Sequence, residues 1–138
     1  MENSTLLHRQ VHPSFIQKEQ VSSQVFETEK AQFILEVSSV AFTPTPKDEK
    51  KLSVYNGEKY SPKEAFEHFT KFYNSGGVLS VKIEECRLIS LSAIEDNNPF
   101  DGHSFIDFSS CTTNGEIKRN AKKLKKYALD RGWGYFQE

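Results

Sequence analysis

Residues 61–73 read SPKEAFEHFTKFY and carry the clearest helical signal in the chain. Ser61 and Glu64 have the spacing of a capping box, and Pro62 takes the first helical position, where its missing N–H costs nothing. Apolar residues then recur at the spacing of one helical face: Ala65, Phe66, Phe69, Phe72 and Tyr73. The pattern predicts a helix from Pro62 to Tyr73, closed by a glycine pair. His68 lies off the apolar face and is predicted to be a surface residue.

Short extended segments flank this helix on both sides. They are separated by turn-forming sequences such as Thr43–Lys51 and Glu95–Gly102, which is typical of strands. The predicted strands are Leu6–Val11, Gln32–Phe42, Leu52–Tyr55, Val78–Ile83, Leu88–Ile94, His103–Phe108 and Trp133–Phe136. Val37–Phe42 repeats the pattern of Val21–Phe26, so we expect two similar strand segments there. Asn56-Gly57 predicts a tight turn, because both residues tolerate positive φ.

A second helix is predicted over Glu116–Arg131. Thr113 and Glu116 have capping-box spacing, and Gly132 can close the helix. Four residues form its apolar face: Ile117, Ala121, Leu124 and Ala128. The sequence therefore predicts a single α+β domain over residues 1–138, in which a mostly antiparallel sheet packs against two α-helices.

Composition and charge exclude several classes of protein. Of the 138 residues, 36% are hydrophobic and 27% are charged, which argues against both a membrane protein and a disordered chain. The 18 Lys and Arg residues nearly balance the 19 Asp and Glu residues, so no overall charge draws the chain to nucleic acid or to an anionic membrane. No apolar run approaches the length of a membrane span, and the first ten residues lack the pattern of a signal peptide. We therefore expect a cytoplasmic protein.

Neither the cysteines nor the glycines form a recognisable metal or cofactor motif. Cys86 and Cys111 are far apart and lack CxxC spacing, so we expect two buried thiols instead of a disulfide. The acidic turn Glu95–Asp101 lacks the ligand spacing of an EF-hand loop. Gly76-Gly77 follows a predicted helix and does not open one, so it forms no phosphate loop. The sequence predicts no cofactor and no metal.

Five phrases of the sequence are distinctive when taken together. They are His12–Gln17, Ser39–Asp48, Leu52–Gly57, Pro99–Ser109 and Arg131–Tyr135. Together they resemble a family of small bacterial proteins to which no activity is attached. Relative to that family, residues 21–36 look like an extra segment. The resemblance implies a bacterial cytosolic protein and transfers no activity.

Two of the four histidines lie where catalytic side chains are often placed. His12 and His103 each stand at the end of a predicted strand, beside a turn, and imidazole is suited to proton transfer near neutral pH. Tyr55, Glu85 and Asp107 lie on neighbouring predicted elements. This set predicts a phosphodiester or nucleotide site in which His12 and His103 act as acid and base.

Several kinds of site fit these residues in part. His12-Pro13-Ser14-Phe15 resembles the motif of two-histidine phosphoesterases, but His103-Ser104-Phe105 has phenylalanine where the second hydroxyl is required. An RNase-like site needs the two histidines and a lysine, with Asp107 or Glu85 orienting an imidazole. An ADP-ribosyl-transfer site would use His12, Tyr55 and Glu85. The structural alternative is that each histidine bonds to backbone at its own turn.

The predicted C-terminal helix is strongly basic. Seven cations cover its outer surface: Lys118, Arg119, Lys122, Lys123, Lys125, Lys126 and Arg131. Such runs usually serve solubility, and late lysines also suit the negative end of the helix dipole. The same face can also bind a protein or an anionic partner.

Two functional hypotheses follow. Because no catalytic motif is complete, the first is a small binding or accessory protein that acts on a macromolecular partner. Its contacts would be the Pro44–Lys51 loop and the basic residues Lys118, Arg119, Lys122, Lys123 and Lys126. A protein or another anionic molecule is expected as partner in preference to nucleic acid, and no membrane is expected. The second is a small histidine-dependent enzyme, a toxin-like RNase or a nucleotide or ADP-ribosyl-transferring enzyme, using His12, His103, Tyr55, Glu85 and Asp107.

Overall fold

The structure is a computed structural model that describes residues 1–20, 33–45 and 48–137. Its strands are β1 (Leu6–Val11), β2 (Ile16–Gln20), β3 (Phe33–Val37), β4 (Lys51–Asn56), β5 (Gly77–Lys82), β6 (Ser92–Glu95), β7 (His103–Asp107) and β8 (Tyr135–Phe136). Its α-helices are α1 (Pro62–Phe69), α2 (Ile83–Leu88) and α3 (Asn114–Arg131). Six strands form one antiparallel sheet in the order β6-β7-β4-β1-β5-β8, and β2 pairs with β3 separately. The predicted α+β fold is confirmed, with α2 as a helix that the sequence analysis missed.

The main core lies between the sheet and α3. Alternate residues of the two central strands face this core and are buried: Leu7, Val11, Leu79 and Val81. The α3 residues Ala121, Leu124 and Ala128 belong to the same cluster, as their predicted helical spacing requires. Cys86 and Cys111 are buried in it as free thiols, which confirms that prediction. None of the helices in the described residues is both long and apolar enough to cross a bilayer.

The opposite face of the sheet carries α1, which ends earlier than predicted. The helix stops at Phe69, where Thr70 bonds to the Phe66 carbonyl through both its backbone N–H and its hydroxyl. A hydroxyl that competes for a helical carbonyl weakens the continuing turn. Ala65 and Phe66 are buried, but Phe72 and Tyr73 are 75% and 66% exposed. The prediction that these last two residues belong to the buried face of the helix was therefore wrong.

Two predicted strands are only partly extended. β3 ends at Val37, and residues 39–42 form a 3-10 turn whose Val40 N–H donates to the Ser38 hydroxyl. The first copy of the repeat, Val21–Phe26, lies outside the described residues. The start of the predicted Leu88–Ile94 strand is the end of α2, whose first turn is capped by Glu85 at the Lys82 N–H. In both places a side chain bonds to the backbone and turns it into a helical path.

The Asn56-Gly57 turn is present, but for a different reason from the one expected. Gly57 is not among the glycines with positive φ. The turn is held by the Asn56 side chain, which accepts from the Glu58 N–H at 2.8 Å. A Cβ at Gly57 would lie 2.4 Å from the Leu6 carbonyl oxygen. Glycine is required here by the close approach of β1 and not by its own dihedral angles.

Candidate functional site

β1 and β4 lie side by side for only part of their length. They pair at Leu7 with Asn56 and at His8 with Tyr55. By contrast, β1 pairs with β5 along all six of its residues. Beyond His8 the β1 and β4 backbones diverge, and residues on both sides of the opening line a cleft. The sheet itself therefore provides the floor of this cleft.

Arg9 bridges the opening between the two strands. Its Nε donates to the carbonyl oxygen of Ala41 at 2.8 Å, and its Nη1 donates to that of Ser53 at 2.8 Å. Burial lowers the pKa of Arg9 to about 10, and the nearby Asp48 carboxylate opposes that shift. A guanidinium with this pKa is still charged at neutral pH. The floor of the cleft therefore carries a positive charge.

Four side chains form a row across neighbouring strands. His8 is paired with Ser80 of β5 and with Tyr55 of β4, and Tyr55 is paired with His103 of β7. The buried His8 ring has its Nε2 2.9 Å from the Tyr60 carbonyl oxygen and its Nδ1 2.7 Å from the Ser80 hydroxyl. Because a carbonyl only accepts, Nε2 carries the proton and the Ser80 hydroxyl donates to Nδ1. Burial lowers the pKa of His8, outweighing the opposite effect of the Tyr60 bond.

An aromatic cluster stands on this row and consists of Tyr55, Tyr60, His68, Phe100 and His103. Phe100 is its centre, with ring centroids 5.0 Å from Tyr55, 4.6 Å from His68 and 5.4 Å from His103. The Tyr55 hydroxyl lies 2.8 Å from His68 Nδ1. Burial and the neighbouring Tyr60 raise the pKa of Tyr55, so its hydroxyl keeps its proton at neutral pH. The protonated hydroxyl and His68 Nδ1 therefore share a hydrogen bond whose direction depends on the His68 tautomer.

A hydrogen bond and an ion pair hold the loop of residues 96–102 beside the cluster. Asp96 accepts from His103 Nδ1 at 2.6 Å, and Asp101 pairs with Lys59 at 2.6 Å. Gly102 has φ +99°, and a Cβ there would lie 2.6 Å from the Tyr60 ring. This position therefore requires glycine for both its dihedral angle and its packing. The loop places Phe100 at the side of the cleft.

The cleft has a volume of about 560 Å³ and mainly aromatic walls. It is lined by His8, Arg9, Gln10, Ser53, Val54, Tyr55, His68, Phe69, Phe72, Tyr73, Pro99, Phe100 and His103. A second pocket, of about 460 Å³, shares Arg9, Gln10, Phe69, Phe72 and Tyr73 with it and extends to His12, Phe15 and Asn74. Because the two pockets share these five residues, we treat them together and call them the groove. Its floor is polar, and the exposed turn after α1 forms one wall.

The structure divides the five predicted catalytic residues between several places. Tyr55 and His103 line the cleft, and His12 lines the second pocket. His12 is exposed, and its Nδ1 accepts from the Ser14 N–H at 3.1 Å, which is the backbone bond of the structural alternative. Glu85 binds Arg131 Nη2 at 2.8 Å, and Asp107 accepts from the Ser109 N–H at 2.9 Å. Neither of these carboxylates lines the groove.

Sequence analysis missed several groove residues. His68 was predicted to be a surface residue, yet it is half-buried against Tyr55 and Phe100. His8 and Gln10 are buried polar residues two apart on β1, and both line the cleft. Their alternation with Leu7 and Val11 was the available signal, because polar residues on a strand buried on both faces need partners. Arg9 gave no such signal, since its role depends on the divergence of two strands.

The predicted binding residues of α3 lie on the far side of the sheet from the groove. Lys118, Arg119, Lys122 and Lys123 are exposed, and Lys126 is exposed and pairs with Asp130 at 3.2 Å. Arg131 differs from them, because its Nη1 donates to the Ser80 carbonyl and its Nη2 binds Glu85. Arg131 thus anchors the end of α3 to the sheet, and the other cations form an outward basic face.

Comparisons with known proteins add no functional information. No protein-family model matches the chain, and neither curated proteins nor solved structures gave a match. The resemblance of the five sequence phrases therefore stays a prediction. Within residues 1–20, 33–45 and 48–137, no three His, Cys, Asp or Glu side chains are grouped closely enough to hold a metal ion. Functional inference thus rests on the groove and the basic face.

Proposed function

We propose that this protein is a small bacterial cytosolic binding or accessory protein that captures part of a macromolecular partner in the groove. The observation that carries the proposal is the pair of exposed aromatic side chains, Phe72 and Tyr73, on the wall of a groove with Arg9 in its floor. Bacterial and cytosolic origin rests on the resemblance of the five sequence phrases.

The energetics of these side chains favour a binding role. Burying apolar surface stabilises by about 25 cal/mol per Å², so leaving two aromatic rings in water forgoes a favourable contribution to folding. Phe66, on the preceding turns, is buried against the sheet, and Phe69 is half-buried. Aromatic and arginine side chains at the centre of a surface depression are the residues that contribute most to binding in protein interfaces. Phe72 and Tyr73 on the wall of the groove and Arg9 in its floor are side chains of these two kinds.

The enzyme hypothesis has less support from the geometry. Its two proposed orienting carboxylates, Glu85 and Asp107, bond elsewhere, and His12 caps its own turn. Tyr55 and His103 stay in the cleft, but they are engaged by His68 and Asp96 respectively. In the binding proposal these two residues are contacts for a ligand and need no proton transfer.

The groove is tested by the double variant Phe72→Ala/Tyr73→Ala. Partner molecules are captured from a bacterial lysate on immobilised protein, identified, and titrated against each variant. We expect affinity for the identified partner to fall about tenfold or more, because aromatic anchors commonly have effects of this size. The Tm is expected to stay unchanged, since both side chains are exposed.

The matched control is Leu88→Ala. Leu88 is 74% exposed and lies on α2, and it does not line the groove. This variant should bind the partner as the unaltered protein does. Equal affinity of the double variant and the Leu88→Ala control for every captured partner would remove the groove from the binding site.

A further inference from the structure

Resting on the part of the proposed function that makes the groove a binding site, we infer that the groove binds a nucleoside monophosphate unit whose base carries an exocyclic amino group. The unit is either a free nucleotide or one residue of a single strand. Three features of the groove lead to this ligand class: a cation with one nitrogen unbonded among the described residues, a buried acceptor with no donor among them, and two sets of aromatic rings. Each of them fits a different part of a nucleotide.

The phosphate is matched by Arg9. Two of its nitrogens are held by the Ala41 and Ser53 carbonyls, which fixes the plane of the guanidinium. Its Nη2 makes no hydrogen bond to any residue in the described part of the chain. Because Arg9 lines both pockets, an anion in either one can reach it. A planar guanidinium with free N–H groups is well suited to phosphate oxygens.

The base amino group is matched by Gln10. Its Nε2 donates to the Ala65 carbonyl at 2.9 Å, so its carbonyl oxygen Oε1 is fixed as the acceptor end. Gln10 is only 8% exposed, and its buried Oε1 has no donor among the described residues. Buried acceptors are almost always satisfied, and the exceptions often mark a missing ligand or water. Gln10 and Arg9 both line the two pockets, so one ligand in this space can contact both residues and supply the donor.

The base ring is matched by the aromatic walls. On the α1 side, the Phe69 and Tyr73 rings pack at a tilt of 33° with centroids 5.1 Å apart. Elsewhere in the cleft, the Tyr55 and Phe100 rings pack at a tilt of 34° with centroids 5.0 Å apart. Every base has a flat π face, and stacking on such side chains is the usual way in which proteins hold unpaired bases. The exposed Tyr73 ring is available for this contact.

The test compares the monophosphates of adenosine and of purine riboside by isothermal titration calorimetry. The two differ only in the exocyclic amino group of adenine, which is the one hydrogen-bond donor on that base. Since purine riboside offers no base donor to Gln10 Oε1, we expect the adenosine nucleotide to bind about tenfold more tightly. Inorganic phosphate, which lacks the base, should bind more weakly than either. Equal affinities for the two nucleotides, or equal affinity for phosphate and nucleotide, would overturn the assignment.

Two variants connect the binding to these residues. Gln10→Met keeps the side-chain length but removes the acceptor, and should make the two nucleotides bind equally. It also removes the bond to Ala65, so its Tm must be recorded. Tyr73→Ala alters an exposed side chain and should weaken the binding of both nucleotides without changing the Tm. Leu88→Ala should change neither the affinities nor the Tm. A Tyr73→Ala variant with unaltered affinity contradicts the stacking assignment.

A fluorescein-labelled single strand of eight deoxyadenosines distinguishes the two sources of the nucleotide. Binding much tighter than that of the mononucleotide identifies a strand as the ligand, and comparable binding identifies a free nucleotide. If neither the mononucleotide nor the strand binds, and a protein partner is captured through the groove, this inference is overturned and the proposed function stands. If neither nucleotide ligand binds, and partners are captured equally well by the groove variants, both the inference and the proposed function are overturned.

Discussion

His8 bonds to both the sheet and the loop beside the cleft, and it makes the stability of the fold depend on pH. Its neutral ring accepts from Ser80 and donates to the Tyr60 carbonyl, and burial lowers its pKa. The unfolded chain therefore binds a proton at His8 more readily than the folded chain does. By linkage, the stability contributed by His8 is fully present above its unfolded pKa of about 6.5. It is lost as the pH falls from there through the lower folded pKa.

The predicted consequence concerns the His8→Gln variant. The free energy of unfolding of the unaltered protein should decrease between pH 7.5 and pH 5, and the decrease should be smaller in the variant, which has no proton to take up at this position. Urea denaturation at several pH values measures both curves. His12→Gln is the control, since His12 is exposed and its removal should leave the decrease intact. Parallel curves for the unaltered protein and His8→Gln would show that His8 does not titrate on unfolding.

At the scale of elements, the start of α1 was predicted correctly and its end was not. The α1 capping box is present as predicted: the Ser61 N–H donates to the Glu64 carboxylate, and the Glu64 N–H donates to the Ser61 hydroxyl. The end of α1 was misplaced, because the Thr70 hydroxyl competes for a carbonyl that the apolar spacing cannot reveal. Four predicted strands match β1, β4, β5 and β7 to within one residue at each end. Local bonds and alternation determine these elements, so local sequence predicts them.

The basic face of α3 leads to a prediction at this scale. Changing Lys122, Lys123 and Lys126 to Glu should abolish capture of an anionic partner, because the triple variant replaces attraction by repulsion. Changing the same three residues to Gln should give an intermediate loss. The Tm should change little, since all three side chains are exposed. Pull-down with salt titration provides the measurement, and unchanged capture by the Glu variant would show that this face serves solubility alone.

At the scale of the whole molecule, the groove depends on strand order, which the sequence pattern does not contain. His8, Tyr55 and His103 come from three strands that are far apart in the chain and adjacent in the sheet. The sequence named Tyr55 and His103 as candidates from residue type and turn position. It grouped them with Glu85 and Asp107, because nothing local shows that those two carboxylates bond elsewhere. Long-range pairing therefore had to be known before the site could be assembled.

Arg9 offers a test of what holds β1 and β4 together beyond His8, where the two strands are no longer paired. Arg9→Lys keeps the positive charge but cannot donate to both the Ala41 and the Ser53 carbonyls in the same planar geometry. We expect a loss of about 1–3 kcal/mol in the free energy of unfolding, measured by urea denaturation. Arg119→Lys, an exposed exchange of the same kind, is the control and should have little effect. Equal stability of the two variants would mean that the bridge contributes nothing.

The position of β1 also has a consequence in time. It is the first strand along the chain, yet it lies inside the sheet between β4 and β5. The last of its partners, at the end of β5, follows about seventy residues later. At a translation rate of roughly 5–20 residues per second, β1 leaves the ribosome several seconds before its second neighbour exists. During that interval the strand that holds Arg9 and Gln10 has no completed sheet to join, so the groove is among the last features of the molecule to be assembled.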